Sequence, residues 1–268
     1  MIEITREASS TQPKEPGTPR LFSLLGRLGA IAAFLVLWEA LPRLGIVAPI
    51  ILAPPSAVLR VALTDWPVYM EGLKITILEA LAAVALSWTI GLGLGVTLGS
   101  SARAARAAIR PLESAFAMPW VVLFPLAIVW VGIGSPSKML FATIAATFPI
   151  LLTTTAAVST VERSSILLAR ALGASRLQIY TKVLVPFALP QILSGLRLGT
   201  AVAVISVITG EMLASVGGLG FIITYNRTQF ETGHVYLGLV LAVCLALGAN
   251  RLMNRLERRV SWWAAVSK

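Results

Sequence analysis

Two uncharged apolar stretches, Ser114 to Ser137 and Met139 to Val161, follow one another in this sequence with only Lys138 between them. A hydrocarbon core about 30 Å thick takes roughly 20 apolar helical residues to cross. Both stretches meet that length, and a third, Ile75 to Ser100, carries only Glu79. Backbone groups in lipid must be satisfied within the segment or within a closed barrel. Barrel strands alternate over about ten residues, so such long, uniform runs are helices. Three weaker runs bring the expectation to about six spans: Leu28 to Leu41 extended through Glu39 and Pro42, Ile192 to Gly210 interrupted by Arg197, and the short Val235 to Ala249. The fold class that follows is all-α and polytopic. Composition agrees, since charged residues make up 13% of the chain against about 25% in a soluble domain, and the mean hydropathy is +0.84.

The polar, proline-bearing opening MIEITREASSTQPKEPGTPR, residues 1–20, reads as a disordered cytoplasmic tail. The first apolar run starts late and no small-x-small site clearly follows it, so no cleaved signal peptide is expected. Residues 21–260 are expected to form the transmembrane domain, and 261–268 a second cytoplasmic tail. Six spans with a cytoplasmic N-terminus put Arg6, Lys14, Arg20, Arg27, Arg103, Arg106, Arg110, Arg163, Arg170, Arg176, Lys182, Arg251, Arg255, Arg258, Arg259 and Lys268 inside, sixteen of the 22 basic residues. Arg43, Arg60, Lys74, Lys138 and Arg227 fall outside, and Arg197 within a span. That asymmetry fits the positive-inside rule and puts both termini on the cytoplasmic side. It also accounts for most of the net charge of +10, which therefore points to neither nucleic acid nor any particular solute.

One cytoplasmic segment, 161–191, is longer than a turn between helices needs to be. It reads as two short helices. Ser164 to Leu172 forms the first, Gly173 supplies the backbone freedom to end it, and Ser175 with Gln178 forms a capping box that opens the second. Pro186 and Pro190 are expected to stop that helix and redirect the chain into span five. Such a pair either rests on headgroups as an interfacial amphipathic element or docks a cytoplasmic partner.

The stretch Leu167-Leu168-Ala169-Arg170-Ala171-Leu172-Gly173-Ala174-Ser175, followed by Val183-Leu184-Val185-Pro186, resembles the EAA loop of binding-protein-dependent ABC importer permeases. That family's pattern is Glu-Ala-Ala, three residues, Gly, nine residues, then Ile-x-Leu-Pro. Ala169, Gly173 and Pro186 match in register, while Leu167 and Leu168 replace the Glu and the first Ala. WVGIGSPSK at 130–138, LPQILSGLRLG at 189–199 and GEMLASVGGLGFII at 210–223 resemble the nitrate, sulfonate, taurine and bicarbonate branch. The resemblance implies a type I importer permease of MetI-like fold in a bacterial inner membrane. It implies a second permease copy, two cytoplasmic ATPase subunits that bind ATP and Mg, and an external solute-binding protein. It places the ATPase-coupling residues at Ala169, Arg170, Ala171, Leu172, Gly173, Ala174, Ser175, Arg176 and Pro186.

The residues themselves agree that ATP is bound elsewhere, because no G-x-x-x-x-G-K-[ST] phosphate cradle occurs in the chain. No cofactor, metal or catalytic residue is expected in it: His234 is the only histidine, Cys244 the only cysteine, and no carboxylate pair or nucleophile with its base appears. Gly91, Gly95 and Gly99, and Gly195 and Gly199, recur every four residues and read as helix-packing stripes. With six helices forming only a small wall, those stripes also motivate a homodimer. Intramembrane carboxylates are functional candidates by default. Glu39, Glu79 and Glu211 all lie near expected outer ends, where they can either reach interfacial water or serve function. Glu211, with Ser206 and Thr209 on the same span, is the candidate for the translocation path. The alternative classes are an ion-driven secondary transporter, which would normally show broken helices and buried ionisable groups at mid-depth, and a membrane scaffold, which would not need segment 161–191.

Overall fold

A computed structural model describes residues 20–161 and 163–260. The two expected tails lie outside the described residues, except that Arg20 opens the first helix. The elements are α1 (Arg20–Arg43), α2 (Pro55–Thr64), α3 (Trp66–Gly99), α4 (Ala102–Phe116), α5 (Phe124–Val131), α6 (Ser135–Ser159), α7 (Arg163–Ala171), α8 (Arg176–Ile179), α9 (Val185–Leu213), α10 (Leu219–Thr228) and α11 (Thr232–Val260), with no strand among the described residues. Four runs are long and apolar enough to cross a membrane: α3, α6, the continuous helix from Arg176 to Leu213, and α11. Taken as one broken span, α4 and α5 make a fifth. At 24 residues α1 has spanning length as well.

The chain divides into two compact units, one ending at Ala57 and the other beginning at Val58. In the first, Trp38 Nε1 donates to the Ala53 carbonyl at 3.0 Å. The Ser56 N–H and hydroxyl donate to Glu39 at 3.0 and 2.6 Å, and Arg43 pairs with the same carboxylate at 2.6 Å. Glu39 is thus neutralised locally and serves as an acceptor at the start of α2.

The second unit is organised around α6, whose apolar stretch is 72% buried, against 11% for α11. The glycine stripes explain why α6 is central. A Cβ at Gly91, Gly95 or Gly99 would fall within 2.8 Å of Ile150, Thr154 or Val158, so α3 and α6 run parallel with their backbones in close approach. On the opposite side a Cβ at Gly195 would meet Thr153 and one at Gly199 would meet Ile150, which seats α9 antiparallel to α6. Both stripes are therefore filled by α6 and offer nothing to a second copy. Replacing Gly199 with Leu is expected to cost about 1–3 kcal/mol by overpacking, seen as a lower thermal midpoint in detergent. Gly93→Leu, where a Cβ would meet no atom within 4 Å, should leave the midpoint unchanged.

Two expectations are corrected. Ser114 to Ser137 is no straight span, because α4 and α5 meet at 82°. After α4 ends at Phe116, Pro119, with φ of −72° and ψ of 86°, turns the chain into a single 3-10 turn at Trp120–Leu123. Pro186 and Pro190 do not stop a helix. They lie inside α9, which continues from α8 through a π turn at Tyr180–Leu184. In that turn the Val185 N–H donates to the Tyr180 carbonyl five residues back. The wider ring moves carbonyls away from the pyrrolidine that would otherwise clash with the residue four before it. The result is one helical rod of 38 residues from Arg176 to Leu213.

Candidate functional site

At one end of the second unit, α7 closes at Gly173, whose φ is +79°. The Gly173 N–H donates to the Arg170 carbonyl and the Ala174 N–H to the Ala169 carbonyl, each at 3.0 Å. This is a Schellman closure, which a β-carbon at Gly173 would strain. The expected capping box is present: the Gln178 N–H donates to Ser175 Oγ at 3.3 Å, and the Ser175 N–H to Gln178 Oε1 at 2.8 Å. Ala169, Ala174 and Tyr180 pack on a buried cluster that includes Ile179 and Leu184, and the Tyr180 hydroxyl donates to Ser100 Oγ just past α3. The turn is thereby held from below, while its outer face is open. Arg170, Ala171, Leu172, Gly173, Ser175 and Arg176 are exposed and Pro186 is half-buried. Leu172 is 79% exposed and Leu177 72%, and Leu167 and Leu168 are also exposed. Four apolar side chains are thus bared on a turn that also carries Arg170 and Arg176.

The opposite end holds a buried polar network. Glu79 on α3 and Lys138 on α6 form an ion pair at 2.6 Å with side chains only 3% and 2% exposed. Lys138 Nζ also donates to Ser215 Oγ at 2.9 Å in the turn after α9, where the Ser215 hydroxyl donates to the Gly217 carbonyl. Glu211 is 1% exposed. It accepts from the Thr76 hydroxyl at 2.8 Å and from the Gly220 N–H at 2.8 Å, and the Leu219 N–H donates back to Thr76 Oγ1. A carboxylate among the first free N–H groups of α10 also faces the positive end of that helix dipole. Gly218, at φ of +101°, brings its backbone so close that a Cβ would overlap the Glu211 carboxylate.

Neither Glu79 nor Glu211 reaches water, so burial corrects the interfacial alternative for both, and Lys138 is a buried residue in the first turns of α6. The α9 candidates are also not one group. At about 100° per residue, Thr209 lies about 60° from Ser206 around the helix and Glu211 about 140° away. Ser206 is buried and Thr209 half-buried, its hydroxyl donating to the Ile205 carbonyl. Lys138 was the residue to find from sequence, as the sole charge between Glu113 and Glu162. His234 lies in the first turn of α11, with its ring nitrogen 2.9 Å from Asp65 and its carbonyl accepting from the Tyr69 hydroxyl. Among the described residues no group of three or more metal-ligating side chains occurs.

Residues 90–262, well over half of the chain, match the family described as binding-protein-dependent transport system inner membrane component. The chain is 29% identical over 248 residues to the taurine transport system permease protein TauC of Escherichia coli, covering 88% of each. It is 28% identical over 255 residues to a Bacillus subtilis protein described as an aliphatic sulfonates transport permease, SsuC, covering 93% of this chain and 91% of that one. Among solved structures, a chain of the MetNI methionine ABC transporter in an inward-facing conformation superimposes with a TM-score of 0.62 at 25% identity, over 71% of this chain and 95% of that one. A chain of an amino acid ABC transporter does so with a TM-score of 0.58 at 18% identity, over 74% and 96%.

Proposed function

The chain belongs to the family of binding-protein-dependent transport system inner membrane components, the non-catalytic permease subunits of ABC importers, and on that premise we propose how it works and what it carries. The turn from Ala169 to Arg176 docks into a cytoplasmic ATPase, with Arg170 and Arg176 at its rim and Leu167, Leu168, Leu172 and Leu177 against the partner. Two ATPases, binding ATP and Mg, serve two copies of this chain, which together enclose the path and receive solute from an external binding protein. The termini face the cytoplasm, as does the α7 to α8 turn, and the Glu79 to Lys138 network faces outward. The observation that carries this reading is the unbroken helix from Arg176 to Leu213. A push at the bared turn is transmitted as motion of one rod to the outer end of α9, where Glu211 holds the α9 to α10 turn and the half-buried Thr209 is offered to the path. The solute is a small sulfonate-bearing anion, a reading supported by the relatives described for taurine and aliphatic sulfonates. A thermal-shift screen of the partner binding protein tests it, since bound ligand raises its midpoint by mass action.

The docking is tested at Gly173. No atom of the described chain lies within 4 Å of a Cβ there, so a bulky residue meets only the partner, and its backbone strain of about 1–2 kcal/mol leaves the membrane helices intact. Gly173→Trp should reach normal membrane levels yet weaken ATPase association or its stimulation by loaded binding protein at least about tenfold, the loss of 1.4 kcal/mol or more at a contact. Gly173→Ala carries the same strain without the bulk and should keep most of the activity. Wild-type transport by the Trp variant would return α7 to the interfacial alternative.

A further inference from the structure

The guanidinium groups on α4 are not used by anything above. Resting on the reading of this chain as the path-forming subunit for a small anion, we propose that Arg103, Arg106 and Arg110 line the inner half of the solute path and pass the anion along it.

The depth of α4 follows from its neighbours. Gly99, three residues before α4, touches Val158 next to the end of α6. Trp120, four residues after α4, lies against Phe148 with ring centroids 4.5 Å apart, and Phe148 is at the middle of α6. Thus α4 climbs from the inner end of the central helix to its midpoint. One face is spent on packing: Ala105 is buried, and Ala108, Ile109 and Leu112 are half-buried. The other face carries Arg103, Arg106, Arg110, Glu113 and Ser114, at steps of three, four, three and one residues, and every one of them is exposed. None of the three arginines has a carboxylate partner among the described residues; Arg106 Nε donates only to the Ala102 carbonyl of its own helix, at 3.0 Å.

A polar stripe of that length does not face lipid, where a charged group at depth costs several kcal/mol. Snorkelling accounts for a basic residue at the rim, but Arg110 lies about 12 Å along the helix and Glu113 about 17 Å. The stripe faces water, and the water inside an importer's span is its path. Three cations in a confined aqueous cleft raise the local concentration of anions. Guanidinium groups offer forked donors to oxyanions. They stand about 4.5 and 6 Å apart along the helix, close enough to hand a sulfonate from one to the next. Because each is exposed and hydrated, none holds it tightly, and conduction requires weak, repeated sites.

The test uses the whole importer, with its own ATPase and binding protein, in liposomes. A thiol is placed at Arg106 or at Arg110 on a Cys244→Ala background and probed with two small methanethiosulfonates, one bearing an ethylsulfonate anion and the other a trimethylammonium cation. After correction for their rates with a free thiol, the anionic reagent should react about tenfold faster or more, the range expected of steering by a charged cleft. Changing the two remaining arginines to Gln should remove most of that preference. A thiol at Leu94, an exposed apolar site on α3, should react with neither. Equal rates, no reaction, or a preference for the cation, as a row lying among anionic headgroups would give, overturns the arginine path. Stimulation of ATP hydrolysis by loaded binding protein is read on the same samples. If it is present without the charge preference, only this inference falls; if it is absent in the unlabelled parent, the importer reading falls with it.

Discussion

Replacing Lys138 with Met should leave little folded protein in the membrane, and adding Glu79→Met to the same chain should bring it back. The single change strands a carboxylate that is 3% exposed and whose cation stood at 2.6 Å. Breaking one partner of such a pair costs about 3–5 kcal/mol, a large part of the roughly 5–15 kcal/mol that holds a typical domain together. Ser215 is not orphaned by the change, because its hydroxyl still donates to the Gly217 carbonyl and accepts from the Gly217 N–H. The damage is therefore assigned to Glu79. Removing both charges replaces the pair by apolar groups of similar volume, which is often neutral or stabilising. Membrane level and thermal midpoint in detergent measure the cycle. A Lys138→Met chain at normal level and midpoint would refute the burial of the pair, and a double variant as poor as the single would refute its electrostatic origin.

The same pair marks where the sequence could be read and where it could not. The α7 to α8 turn was legible to the residue, because glycine closure and the Ser175–Gln178 box are local devices set by a few adjacent side chains. Lys138 and Glu79 were each visible as a lone charge in an apolar run. Their pairing was not, since it depends on α3 and α6 lying parallel and in contact. That arrangement requires the chain to cross back between them, and the crossing is the bent α4 to α5 pair that a hydropathy window reads as one smooth span. Averaging over both faces of α4 also hid its polar stripe, since Arg103, Arg106 and Arg110 were counted only as inside charges when they lie along one helix face. The prolines of α9 were misread for a related reason. A rule for Pro in an α-helix assumes the i to i−4 ladder, and the π turn at Tyr180–Leu184 replaces it where it would fail.

Glu211 separates a fastener from a path residue by two substitutions with opposite forecasts. Its carboxylate accepts from Thr76 and Gly220, and both donors are buried. Glu211→Ala leaves the Gly220 N–H without an acceptor, at about 1–3 kcal/mol, restricts the Thr76 hydroxyl to the Gly72 carbonyl at 3.1 Å, and opens a cavity beside Gly218. The α9 to α10 turn should loosen, with a fall in midpoint and membrane level close to that of the Lys138 single variant. Glu211→Gln keeps the shape and one acceptor oxygen, which can serve the Gly220 N–H while the amide nitrogen donates to Thr76 Oγ1. In a fastener the charge itself is dispensable, so the Gln variant should retain most of its level and transport. In a path residue the charge is the point, and the Gln variant would be present at normal level but lose transport. With Glu211 only 1% exposed and held by Thr76 and Gly220, the expected outcome is the first. A normal level of the Gln variant with transport abolished would instead put the Glu211 charge in the path.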